Sequence, residues 1–223
     1  MKKLRKASWF LGTILASYLA LSSPTYANEQ KNHENTPKKV ETISHQEKEK
    51  PYLDTIFTKD RISLQTISGL LYSPCGLGPK TPQFNYAQTN LRLGWMINNP
   101  AKLSILPRGN LEAISEISNS LIHKGFGNYL TGATLLLRYN IVPEKSKLSP
   151  YLQLGAGMVY TNAHEDQKQQ AIGQAIEFTP QGSIGLRYLI SKNLSIDGEL
   201  MFHHISNASL AKRNEGINAL GAS

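Results

Sequence analysis

His204, Ile205 and Ser206 set an imidazole and a hydroxyl two residues apart. In an extended strand that spacing puts both side chains on one face, with Cα atoms roughly 6.5 Å apart. Suitable rotamers then bring a ring nitrogen to Oγ. Serine is a poor nucleophile until a neighbouring base takes its proton, so this pair holds the elements that ester or acyl hydrolysis requires. Two polar residues where a strand leaves a membrane would look the same, and the rest of the chain has to decide. Other polar groupings carry less chemistry. Asp197 with Glu199, and Glu112 with Glu116, fit the polar interior of a barrel better than a paired-carboxylate site. His203 falls on the opposite face from His204 and reads as a structural hydrogen bonder. His164, Glu165 and Asp166 are three adjacent loop residues that cannot all converge on a metal, and Cys75 has no sequence-local base. Gly125-Phe126-Gly127 is a turn, since no Lys-Ser/Thr follows it.

The elements that must position the pair are strands. From Tyr52 onward the apolar residues alternate rather than recur every 3.6 positions, and Gly, Pro, Asn and Asp clusters interrupt them. Eight strands are predicted: 62–73, 84–97, 103–121, 127–142, 148–162, 173–191, 194–206 and 217–223. Spans of this length exceed the five or six residues usual in globular sheets and suit strands that cross a bilayer obliquely. In the seventh, Leu194, Ile196, Gly198, Leu200 and Phe202 share a face with His204 and Ser206, while Ser195, Asp197, Glu199, Met201 and His203 take the other. In the fifth, Leu152, Leu154, Ala156, Met158 and Tyr160 stand opposite Tyr151, Gln153 and Gly155. A membrane barrel turns such apolar faces to lipid and the charges to its lumen; a soluble sandwich would bury the apolar face instead. The pattern favours an all-β, eight-stranded antiparallel transmembrane barrel, with tyrosines for its interfacial girdles.

Of the 223 residues, the first 27 read as a cleavable signal peptide: Lys2, Lys3, Arg5 and Lys6, an apolar run from Ala7 to Leu21, and small residues up to Ala27. Residues 28–51 are Glu, Lys, Asn and Gln with little to bury, a disordered polar linker. Residues 52–223 form the barrel. The formal charge of +8 does not point to nucleic acid. Half of it lies in the first six residues, the linker is neutral, and the remainder has no basic stripe interleaved with aromatics. One cysteine excludes an internal disulfide framework and a multi-thiolate zinc site.

The string Phe202-His203-His204-Ile205-Ser206-Asn207-Ala208-Ser209-Leu210, followed by Asn214-Glu215-Gly216-Ile217-Asn218, closely resembles the C-terminal motif of the lipid A 3-O-deacylase family. These are eight-stranded outer-membrane barrels with a His-x-Ser-Asn-Ala motif and then Asn-x-Gly. The layout of 52–223 agrees, and the specific part is confined to about 202–218. The resemblance implies hydrolysis of the ester-linked acyl chain at position 3 of lipid A, at a site on the outer wall of the barrel. It implies lipopolysaccharide as substrate, outer-membrane lipids as surroundings, a Gram-negative-type outer membrane as location, and no cofactor or metal. A homodimer stays open. His204 is then the base and Ser206 the nucleophile. The third member, Glu in well-studied relatives, falls at Asn218, with Glu215 as the alternative. Asn207 and Asn214, with nearby backbone N–H groups, are candidates to stabilise the oxyanion, and the family often has Gly where this chain has Ser209. The alternative to an esterase is a non-catalytic barrel with a structural or surface-interaction role. The eighth strand, with about seven residues from Ile217 and no aromatic after Phe202, is expected to belong to a shortened or truncated chain with a loose closing seam.

Overall fold

The computed structural model describes residues 17–21, 52–74, 82–102 and 104–223, the first of these by backbone alone. Most of the expected leader, the 28–51 linker and Cys75 lie outside the described residues. Ten strands occupy eight positions around a closed antiparallel barrel. They are β1 (Ser17–Leu21), β2 (Ile62–Tyr72), β3 (Asn85–Met96), β4 (Gly109–Lys124), β5 (Tyr129–Ile141), β6 (Leu148–Thr161), β7 (Ile176–Phe178), β8 (Gln181–Ser191), β9 (Leu194–Ile205) and β10 (Ile217–Ala222). Each strand from β2 to β6 pairs with the next, β8 pairs with β6 and β9, and β10 closes the ring between β9 and β2.

Two predicted strands are corrected. The third, predicted as 103–121, begins at Gly109 and is β4. Pro107 has no N–H for a ladder, and the approach to β4 turns outward as a loop. The sixth, predicted as 173–191, is divided into β7 and β8 around Thr179-Pro180. Here too the missing N–H of a proline breaks the ladder, yet both pieces pair with β6 in one continuous register: Met158 opposite Phe178, Gly155 opposite Gln181. The eighth position is composite. β10 pairs with β9 from Ile217–Ile205 to Ala222–Leu200. Further along, β1 occupies the same position, with Leu19 opposite both Leu64 and Leu194. Cleavage after Ala27 would remove β1 with the leader.

Alternation sorts the side chains as the faces require. Leu91, Leu93, Ile117, Leu135, Leu154 and Leu200 point outward and are exposed, while Arg92, Glu112, Glu116, Arg138, Arg187, Asp197 and Glu199 are buried inside. A charge in such an interior persists only when paired and hydrogen-bonded. The Arg92 guanidinium meets this by bonding Glu116 through Nε at 2.6 Å and gripping Glu199 with both terminal nitrogens at 2.9 and 3.2 Å. Tyr151 donates its hydroxyl to Glu199 at 2.9 Å, and the Arg138 guanidinium lies 4.3 Å from the centre of the Tyr151 ring. Arg187 bonds Asp197 in the same way. Apolar clusters close both ends of the interior. Leu53, Ile56 and Phe57 pack with Met96, Val142 and Leu189 at one rim. Phe84, Tyr86, Leu130, Val159, Ile172, Ile205 and Ile217 pack at the other.

Arg92→Met removes one cation from between two buried carboxylates. The substitution is expected to destabilise the barrel by about 3–5 kcal/mol, the usual cost of stranding a buried charge. The midpoint of urea unfolding in detergent or lipid measures this, and an unchanged midpoint would mean that the lumen tolerates unpaired carboxylates.

Candidate active site

β9 carries the hydrolytic pair to the rim closed by the Phe84 cluster. Met201, His203 and Ile205 are buried inside, which obliges Phe202 and His204 to face out, and Ser206 follows on the same side. The inward His203 bonds the Tyr86 hydroxyl through Nδ1 at 2.8 Å, a structural contact that leaves the chemistry to its neighbour. The backbone at the site is pinned laterally. His204 N–H donates to Pro180 O at 3.0 Å, and Ser206 and Phe178 exchange backbone bonds of 3.1 and 2.7 Å. Pro180, which breaks its own strand, still offers its carbonyl here.

His204 is bonded on both sides of its ring. Nε2 lies 2.9 Å from Ser206 Oγ, and Nδ1 lies 2.6 Å from Asn218 Oδ1. An amide oxygen only accepts, so Nδ1 carries the proton and Nε2 is left with its lone pair toward the serine hydroxyl. That is the tautomer a general base needs. Asn218 comes from β10, directly across the ladder from His204, and its own carbonyl accepts a bond from Ser73 Oγ at 2.8 Å. The three side chains are half-buried and belong to two adjacent strands of the outer wall.

The remaining candidates hold the rim rather than join this line. Asn207 is fully buried. Its N–H donates to Asn214 Oδ1 at 2.8 Å and its Nδ2 to Arg213 O at 2.8 Å, so both of its donors are engaged within the loop between β9 and β10. Asn214 Nδ2 reaches Ser209 Oγ at 3.5 Å. Glu215 is exposed, and its backbone N–H donates to Gln170 O. Ala208 and Ser209 adopt φ of 52° and 67°, the left-handed region that L residues enter at a cost of about 1–2 kcal/mol. A glycine at position 209 would avoid that cost.

Two residues of the site were not singled out from sequence. Arg213 donates to the carbonyls of Asp166, Gln169 and His164 at 2.8, 3.2 and 2.7 Å, tying the β9–β10 loop to the loop between β6 and β7. Gly216 N–H adds a bond to Ala171 O at 3.1 Å. At φ 72°, Gly216 lies against the catalytic ring: a Cβ there would stand 3.1 Å from His204 Cε1. The Asn-x-Gly string contained the glycine signal, whereas no local pattern marks an arginine whose partners lie more than forty residues away.

The class is thus a barrel whose lipid-facing outer wall carries a hydrogen-bonded Ser206–His204–Asn218 line at one rim. A model of the family described as lipid A 3-O-deacylase (PagL) matches residues 85–223, more than half of the chain, and spans His204, Ser206, Asn218 and the loop between them. The chain belongs to that family, whose members are ester hydrolases; family and fold together place it in a Gram-negative outer membrane. Among solved structures it is similar to one titled "Crystal structure of the outer membrane enzyme PagL", at 16% identity and a TM-score of 0.51, over 70% of this chain and 95% of that one. No curated protein matches it in sequence.

Gly216→Ala should lower kcat for ester hydrolysis by roughly ten- to a hundredfold, because a displaced imidazole loses its in-line relation to Oγ. Steady-state kinetics on the folded variant test this. A parental kcat would mean that the ring has room to move without cost.

Proposed function

We propose that this protein hydrolyses the 3-O-linked acyl ester of lipid A with Ser206 as nucleophile and His204 as general base. The observation that carries the reading is the unbroken line Ser206 Oγ, His204 Nε2, His204 Nδ1, Asn218 Oδ1, with links of 2.9 and 2.6 Å, on the lipid-facing wall. Ser206 Oγ gives its proton to Nε2 and attacks the ester carbonyl carbon. The tetrahedral intermediate collapses as the 3-oxygen of lipid A leaves and takes the proton from Nε2. Water then repeats the sequence: Nε2 accepts its proton, hydroxide attacks the acyl-serine, and the proton returns to Oγ as the 3-hydroxy fatty acid departs. We assign stabilisation of the oxyanion to Asn214 Nδ2 and the backbone N–H groups at the left-handed Ala208-Ser209 turn.

The surroundings suit a substrate that stays in the membrane. A groove of about 470 Å³ runs along the outer wall, lined by Leu152, Leu154, Ile184, Leu200, Phe202 and Leu220. Phe202 and Leu220 each lie two positions from a site residue, His204 and Asn218, and an acyl chain laid there keeps its apolar surface among apolar side chains. Among the connections from β2 to β10 the longest, 162–175, is at the site's rim, and the longer loops of such barrels face outward. The site is thereby at the leaflet that holds lipopolysaccharide.

Asn218 is the departure within the Ser–His line, and it favours a second reading: a barrel that keeps the motif but turns over slowly or not at all. An amide fixes the imidazole as a dipole without balancing the imidazolium charge. It can also rotate to present Nδ2, which supports the wrong tautomer; a carboxylate cannot. Release of 3-hydroxy fatty acid from purified lipopolysaccharide, followed by mass spectrometry, distinguishes an esterase from an inert barrel.

Ser206→Ala and His204→Ala are each expected to abolish that release while the barrel stays folded, since nucleophile and base act as a unit. Retention of the rate within a few-fold in both variants would remove the pair from the mechanism. Asn218→Glu is expected to raise kcat by at least about tenfold, a modest share of the roughly 10⁴-fold effect seen when amide replaces carboxylate in a serine protease triad. No gain in a folded variant would mean that the third position contributes nothing beyond orientation.

A further inference from the structure

At the rim opposite the active site the β3–β4 connection is longer than the β5–β6 and β8–β9 connections. The β3–β4 segment runs from Ile97 to Arg108, whereas the β5–β6 and β8–β9 connections there are residues 142–147 and 192–193. Ile105 in this segment is 93% exposed, the highest value of any large apolar side chain among the described residues, and Leu106 beside it is 44% exposed. An isolated exposed leucine needs no explanation, but two adjacent apolar residues at a loop tip beside a lipid-facing wall do.

The loop is tied to that wall at Pro107. Its base is fixed by paired backbone bonds between Ala101 and Gly109 at 2.9 and 3.0 Å. The carbonyl of Pro107 accepts the Tyr139 hydroxyl at 2.5 Å. Tyr139 points outward, because its neighbours Arg138 and Asn140 are both fully buried in the lumen. Gly109 allows the tyrosine ring to cross the start of β4, as a Cβ there would lie 2.8 Å from Tyr139 Cζ. Ile105 and Leu106 are thus next to the aromatic level formed by Tyr139 and Trp95. An apolar groove of about 520 Å³, lined by Leu93, Trp95, Ala113, Ser115 and Leu135, continues the wall above. Lys102, exposed at the base of the same loop, supplies a cation.

We propose that the β3–β4 connection carries an interfacial anchor: Ile105 and Leu106 enter the acyl region of a phospholipid leaflet, with Lys102 at the level of the phosphates. Apolar side chains flanked by a cation and an aromatic level are the chemistry of interfacial insertion. The anchor sets how deep the barrel sits and so the height of Ser206 across the membrane. Assignment to the phospholipid leaflet rests on the functional reading, which puts the other rim among lipopolysaccharide; the insertion itself does not.

The test needs no catalysis, so its failure is separate from failure of the esterase reading. The full chain with Trp9→Phe, Trp95→Phe and Ile105→Trp is refolded into phosphatidylcholine vesicles with and without brominated acyl chains. Insertion predicts blue-shifted emission that bromine reduces by roughly half or more. Emission characteristic of tryptophan in water, unaffected by bromine, overturns the proposal. If the gel shift between boiled and unboiled samples shows that this variant does not fold, Leu106→Trp in the same background is read by the same two outcomes.

Discussion

A sheet in hydrocarbon has no water to satisfy an unpaired N–H or C=O, and each one left open costs several kcal/mol. Closure into a barrel is the response, and it constrains everything else in this chain. Once the ring from β2 to β10 is closed, each residue's face follows from its place in the ladder. β9 cannot turn His204 toward the lumen without turning Asp197 and Glu199 into lipid. The carboxylates stay inside because Arg92, Arg138 and Arg187 are there to pair with them. The salt-bridged interior and the exterior active site are therefore two consequences of one register.

An exterior site also answers a problem of access. Lipid A does not leave its leaflet, and a pocket inside the lumen would require the acyl chains to pass through the wall. The proposed nucleophile and base, both on the outside, would let the substrate diffuse laterally to them. The cost is that two strands and two loops must hold the geometry without a surrounding core. The Arg213 contacts, the Gly216 bond to Ala171 and the mutual Ser206–Phe178 backbone bonds provide that rigidity from behind.

Much of this was legible in the sequence because strand alternation is local. Leu200, Phe202 and His204 against Glu199, Met201 and His203 can be sorted with no knowledge of partners, and the His-x-Ser spacing puts the two reacting groups on one face. The limits of β4 and the division of β7 from β8 were harder to see, since apolar alternation continues through 103–108 and 173–180 while Pro107 and Pro180 interrupt the ladder. The brace around His204 was out of reach for another reason. Arg213 acts on carbonyls supplied by a loop distant in sequence, and Asn207, whose side chain suggested an oxyanion donor, is turned inward by the fold to hold that loop.

The proposed mechanism depends on Ser206 Oγ being the atom that attacks. Treatment of the folded protein with an alkyl fluorophosphonate, followed by peptide mass spectrometry, reads this directly, because the reagent forms a bond only with a hydroxyl activated by a base. A Ser206 nucleophile gives one phosphonylated peptide, modified at Ser206, and no modification when His204 is replaced by alanine. Deacylation of lipopolysaccharide by protein that remains unmodified at Ser206 after treatment, or an adduct at another residue, would contradict it.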